Sequence, residues 1–208
     1  KDIERVKIAK SIFGKRDLMV DAIMGTIRPS WDLEQALKKI EDLSKFDLRW
    51  IEEPLHPSNI KELSILKSKS PIPIAAGEAY SGLLEYQMLL DNNSVDILQF
   101  DSTHSGGFEI CKKLSEISLK NNIQCAVHVW GSPIAVLANL HLASYIKNLV
   151  YIEIPRIELE ISDYLWMQKP KISDGYIEIS DTPGLGINIE EKVKNKFPLI
   201  KGSGFRIK

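Results

Sequence analysis

Six short apolar runs in this 208-residue chain each end in a residue that can hold charge or move a proton. The runs cover residues 17–21 (DLMVD), 48–52 (LRWIE), 72–78 (IPIAAGE), 95–101 (VDILQFD), 124–128 (QCAVH) and 150–153 (VYIE). Their last residues are Asp21, Glu52, Glu78, Asp101, His128 and Glu153. A single acid at a strand end is ordinary, because it caps a helix or meets solvent. Five acids and one histidine from six successive runs need another explanation. Brought into one small volume, uncompensated carboxylates repel and raise one another's pKa values. A divalent cation cancels that repulsion, and hard carboxylate oxygens suit Mg²⁺, which keeps coordination positions open for substrate and water.

The elements between these runs decide whether the six ends meet. Each run is near-continuously apolar, the pattern of a strand covered on both faces. Amphipathic helical patterns separate them, over residues 31–46, 60–67, 83–90, 108–119 and 134–146. Ser58, Ser81 and Ser132 stand just ahead of helical runs, where a hydroxyl can cap free amides. Strand followed by helix, repeated without a reversal signal, predicts an α/β fold with a parallel sheet, and a (β/α)-barrel in particular. In such a barrel the C-terminal strand ends form one face, where chemistry is carried out. A complete barrel needs eight strands and typically about 250 residues. Only six are visible here, and the chain opens in a helical pattern (residues 3–13), so the expectation is a partial barrel over residues 1–160. After Glu153 the rhythm changes to a short helix near residues 161–166, a turn running into a strand around Asp174-Gly175, and the loop Pro183-Gly184-Leu185-Gly186.

The ordered set of segments resembles the enolase superfamily, in its mandelate racemase and acid-sugar dehydratase branch. MVDA (residues 19–22), WIEEP (50–54), AAGE (75–78), LQFD followed by Gly106-Gly107, VHVWGSP (127–133), and DGYI with PGLG near the end carry the resemblance. It implies that Asp21, Glu52 and Glu78 are metal ligands for Mg²⁺. It implies that His128 and Asp101 form the catalytic dyad, and that Glu153 hydrogen-bonds a substrate carboxylate. His104, three residues after Asp101, is a further substrate-binding candidate. The family's Lys-x-Lys pair would lie ahead of Lys1, with the first two barrel strands. Residues 161–208 would return to a capping domain. Ile23 stands where this branch often has Asn. The implied activity is Mg²⁺-dependent dehydration of a sugar acid such as an aldonate, by α-proton abstraction through an enediolate, to a 2-keto-3-deoxy acid. Racemisation or epimerisation of a 2-hydroxy acid is the alternative on the same scaffold, and a catalytically degenerate homologue the third reading.

Composition limits the partners. Lys+Arg number 27 against 28 Asp+Glu, a net charge of −1, so no global field favours nucleic acid or an anionic membrane. No apolar stretch approaches the roughly 18 to 20 residues of a membrane span. Cys111 and Cys125 form no disulfide or zinc pattern. The expectation is a cytoplasmic homo-oligomer acting on a small molecule. His56 and His141 read as structural, and Glu53, beside Glu52, is expected to point away from the ligands. Gly184 and Gly186 lack the strand-to-helix turn of a dinucleotide loop.

Overall fold

The computed structural model describes residues 2–156 and 159–201. Six strands pair in parallel and in strict chain order: β1 (Met19–Asp21), β2 (Trp50–Glu52), β3 (Ile74–Ala76), β4 (Ile97–Leu98), β5 (Gln124–Val127) and β6 (Leu149–Ile152). Helices α2 (Leu33–Leu43), α3 (Ile60–Lys69), α4 (Gly82–Asp91), α5 (Gly107–Lys120) and α6 (Pro133–Ala143) make the crossovers, and α1 (Asp2–Phe13) precedes β1. Strand order identical to chain order is the signature of a barrel wall. The sheet is curled: the Tyr151 ring on β6 meets the Trp50 ring on β2 edge-on at 5.6 Å, and the Tyr151 hydroxyl bonds Asp17 just ahead of β1. The architecture is therefore a six-stranded, incomplete (β/α)-barrel with β1 and β6 as its edges, as the rhythm of the sequence predicts.

Two apolar layers hold it. The larger lies between sheet and helices and includes Ile40, Ile51, Leu66, Ile74, Leu89, Leu98, Leu114 and Leu140. The smaller fills the concave side with Trp50, Ala75, Ile97 and Ala126, flanked by Met19 and Val150. Strand side chains alternate with a period of two. Two residues beyond Met19, Trp50, Ala75, Ile97 and Ala126 come Asp21, Glu52, Gly77, Gln99 and His128. The polar rim is thus the next step of the same alternation that builds the inner core.

The strands are shorter than the apolar runs. Glu78 lies two residues past the end of β3 and Asp101 three past β4, so both sit on loops rather than on strands. Gly77 explains the first displacement. At φ +155° its backbone lies so close to β4 that an added Cβ would be 2.4 Å from the Gln99 carbonyl oxygen. The close approach ends β3 and turns Glu78 toward the concave side.

The capping serines divide. Ser132 caps α6 by accepting from the Ile134 N–H, with Pro133 in the first turn. Ser81 holds the N-cap position of α4 without a side-chain cap, since its hydroxyl donates to the His104 carbonyl. Ser58 is not a cap, because Asn59 occupies that position in α3 and the Ser58 hydroxyl bonds the His56 ring. Helix α2 starts at Leu33, inside a capping box of Asp32 and Gln35. Beyond β6 come α7 (Ser162–Leu165), β7 (Ile172–Ser173), β8 (Tyr176–Ile177) and α8 (Glu191–Lys196). The expected single strand is a hairpin, with Asp174 and Gly175 both at positive φ as a two-residue turn requires. The expected 161–208 segment runs past residue 201, and residues 202–208 lie outside the described residues. No helix among the described residues is long and apolar enough to cross a membrane.

Replacing Gly77 by alanine should cost about 3 kcal/mol, since the clash is with backbone that cannot yield. Gly82, at φ +70° with open space around it, should cost only about 1 kcal/mol on the same change, from backbone strain alone. Urea unfolding of the two variants measures both. Equal losses would mean that the β3–β4 approach is not a constraint.

Candidate active site

Parallel register sets the first pair of acids side by side. Met19 pairs with Trp50, Val20 with Ile51 and Asp21 with Glu52, so two carboxyl groups leave adjacent strand ends at the same level. The Glu52 carboxylate accepts from the Trp50 indole N–H at 3.2 Å, which ties it to the inner apolar layer. Asp21 accepts the Ile23 N–H at 2.8 Å. Ile23 itself has φ +50°, a left-handed conformation that is an outlier for a β-branched residue. Its side chain is 37% exposed and lines the cavity into which the acids project.

That cavity, about 600 Å³, is bounded by Asp21, Glu52, Glu78, Asp101, His128 and Glu153, with Ile23, Thr103, His104 and Trp130 around its mouth. All seven residues singled out from the sequence therefore face one space. His128 leaves the end of β5 and its backbone N–H continues the ladder to the Phe100 carbonyl. Its Nδ1 meets Asp101 Oδ2 at 3.0 Å, and its Nε2 meets Glu78 Oε2 at 3.3 Å. Glu153 follows β6 and accepts from the Val129 N–H at 3.2 Å and the Gln99 amide at 3.5 Å. His104 is exposed at the rim, fixed through its backbone by Asp101 and Ser81.

The protons follow from this geometry. Burial, reinforced by the Glu52 charge, pushes Asp21 up to about 6, although the Ile23 N–H and His128 oppose it. Burial and Glu52 likewise raise Glu153 to about 7. Burial raises Glu78 to about 8, with the charges of Glu53, Glu52 and Asp21 adding to the rise and the His128 charge opposing it. Burial alone would lower His128, but the Asp101 hydrogen bond and the charges of Glu153 and Glu78 carry it up to about 9. Asp101 goes the other way. Burial disfavours its charge, yet bonds from His128, Asn139 and Thr103 hold it down at about 2. A permanently ionised Asp101 keeps the Nδ1 proton on the ring and leaves Nε2 to exchange its own proton with whatever enters the cavity.

Glu53 is not among the lining residues. It is 3% exposed, its backbone turns at φ +40°, and its Oε1 finds no partner among the described residues. It is nonetheless near enough to Asp21 and Glu52 that their charges, after burial, lift it to about 7. His56, bonded to Ser58 and Arg28, and His141 on α6 lie away from the cavity. Four contributors are not singled out by the sequence reading: Gln99, Thr103, Trp130 and Asn139. A fully buried Asn139 in the otherwise apolar stretch PIAVLANL is the signal that could have found the last.

For a metal, the donor chemistry fits. Asp21, Glu52 and Glu78 offer only hard carboxylate oxygens to one cavity, and burial together with the Glu52 charge holds both Asp21 and Glu78 above their ordinary pKa. Among the described residues no three His, Cys, Asp or Glu side chains are already drawn into a coordination shell. Glu78 contacts His128 through Oε2.

The chain is similar to known proteins in sequence and in fold. A D-galactonate dehydratase family member of Musicola paradisiaca is 32% identical over 165 residues, covering 78% of this chain and 39% of its own. The L-talarate/galactarate dehydratase of Salmonella typhimurium is 29% identical over 194 residues, covering 93% of this chain and 45% of its own. The chain thus spans less than half the length of these curated relatives. A crystal structure of an enolase-superfamily member from Polaromonas sp. superposes with a TM-score of 0.86 at 25% identity, over 99% of this chain and 54% of that one. Residues 1–193 match the family described as Enolase C-terminal domain-like, and the chain belongs to that family.

Proposed function

We propose that the protein dehydrates a sugar acid, such as an aldonate, to a 2-keto-3-deoxy acid, with Mg²⁺ as cofactor. The observation that carries this reading is the His128–Asp101 dyad at 3.0 Å, aimed into a cavity otherwise walled by carboxylates. The dehydratase names of the relatives support it. Asp21, Glu52 and Glu78 would hold the cation, which when bound supplies stabilisation of negative charge developing on the substrate's carboxylate oxygens. The remaining work belongs to this chain's side chains. At neutral pH His128 is protonated, so Nε2 is set to donate a proton to a departing β-hydroxyl. Glu153, raised to about 7, is partly protonated there and can donate a hydrogen bond to an anionic substrate oxygen. His104 and Trp130, at the mouth, meet the polar and apolar faces of the carbon chain.

Incubating the full-length protein with a panel of aldonic acids and Mg²⁺ should yield 2-keto-3-deoxy product from at least one. His128→Asn should then lower kcat by about 10²- to 10⁴-fold, the contribution of a positioned general acid. No product from any acid would overturn the proposal. Solvent deuterium entering the α-carbon with the hydroxyl retained would replace it by racemisation.

Stability should also follow the proton count. Asp21 and Glu153 ordinarily titrate at 3.8 and 4.5 but keep their protons to about 6 and 7 when folded. Between those values the folded state binds more protons than the unfolded chain, so stability falls as pH rises. His128, raised from 6.5 to about 9, loses its stabilising charge in the same direction over that higher range. Without divalent cations the urea midpoint should therefore be lower near pH 8 than near pH 5. Mg²⁺ should restore more at the higher pH, and Glu52→Gln should abolish the restoration. A midpoint flat across this range, or unmoved by Mg²⁺, would contradict the assignment.

A further inference from the structure

Asp101 can orient His128 only if its own carboxylate cannot rotate. Oδ1 accepts from the Thr103 N–H at 2.8 Å, the Thr103 hydroxyl at 2.7 Å and the Asn139 side-chain amide at 2.7 Å. A carboxylate oxygen offers about two good lone-pair directions, so three donors saturate it. The remaining oxygen, Oδ2, is left to His128 Nδ1.

Asn139 comes from α6, the helix after His128, and is fully buried. Its own Oδ1 accepts from both the Ser102 N–H and the Ser102 hydroxyl, each at 2.8 Å. These contacts fix which end of the amide is which. Turned over, it would set an oxygen against the Asp101 carboxylate and an NH₂ against a backbone N–H. One side chain thus clamps the loop after β4 and the carboxylate that loop carries, from the element that follows the histidine. A merely structural Asn would need the Ser102 contacts alone. The donor at 2.7 Å from an ionised carboxylate is an additional, charge-assisted bond.

We propose that Asn139, together with Thr103, is a positioning residue for the proton transfer. The two fix the rotation of Asp101 so that its Oδ2 holds the His128 ring by Nδ1–H and keeps Nε2 turned into the cavity. The effect on turnover rests on the dehydratase reading, whereas the effect on the His128 ring does not.

The test uses the full-length protein with Mg²⁺, two disruptive variants and Thr103→Ser as the rescue. Asn139→Leu removes both functions of the amide. Thr103→Val, at the exposed rim, removes one donor without opening the core. Circular dichroism and urea midpoints identify the folded variants. In selectively ¹⁵N-histidine-labelled protein, the wild type should show a downfield, exchange-protected His128 Nδ1–H proton. Both disruptive variants, where folded, should weaken or lose it. On an aldonate that is turned over, kcat should fall about 10- to 100-fold, the usual cost of losing an outer-shell partner, with KM within about twofold. Thr103→Ser should recover most of the loss. A folded disruptive variant with an unchanged Nδ1–H signal overturns the proposal, as does a loss confined to KM. If no aldonate is turned over at all, the dehydratase reading fails while the Nδ1–H signal still decides this one.

Discussion

Register pairing of Asp21 with Glu52 is the constraint from which the rest of the site follows. Parallel strands in chain order deliver acids to one rim whether or not those acids tolerate each other's company. Glu78 and Glu153 arrive on the same face, and these two carboxyl groups are raised by burial and by neighbouring acids. The structure offers partial relief. The indole of Trp50 and the amides of Ile23 and Val129 each donate to one acid, and His128 offsets several at once. Asp101 runs against the trend, because hydrogen bonds from His128, Asn139 and Thr103 outweigh its burial.

Much of this was legible in the sequence, and the reason is the period of two. Where a strand is apolar on both faces, the residue that ends the run is the first free to be polar, so Asp21, Glu52, His128 and Glu153 mark their own strand ends to within one residue. Glu78 and Asp101 follow the same pattern less faithfully. The Gly77 approach to β4 cuts β3 short, a distance between backbones that no periodicity encodes. Hydroxyl caps fared worst, since Ser58 and Ser81 found partners in His56 and His104 that only tertiary structure brings within reach. Asn139 stands out locally as one amide in the apolar run of α6, but its role was hidden for a similar reason: its partner Asp101 lies across a strand and a loop.

Ile23 shows where a local rule gives way to the site. Its backbone is held left-handed so that its N–H can reach Asp21, and a β-branched side chain accepts strain to do so. Such strain persists where surrounding contacts over-determine the conformation, and it clusters at functional positions. Here the result is an apolar surface within an otherwise acidic cavity, beside an indole at Trp130 that is 67% exposed.

The plain succession of strands β1 to β6 has an evolutionary consequence. Each strand–loop–helix unit contributes one chemical group, and stability resides chiefly in the apolar layer between sheet and helices, on the side away from that group. A mutation at a single loop can therefore exchange one ligand or one proton carrier while the neighbouring units keep theirs. Two units are less free to drift. The β4 loop and α6 are joined through Asp101 and Asn139, so a lineage that changes the acid must change the amide with it. Covariation between these two positions, 38 residues apart, is the trace such a linkage would leave.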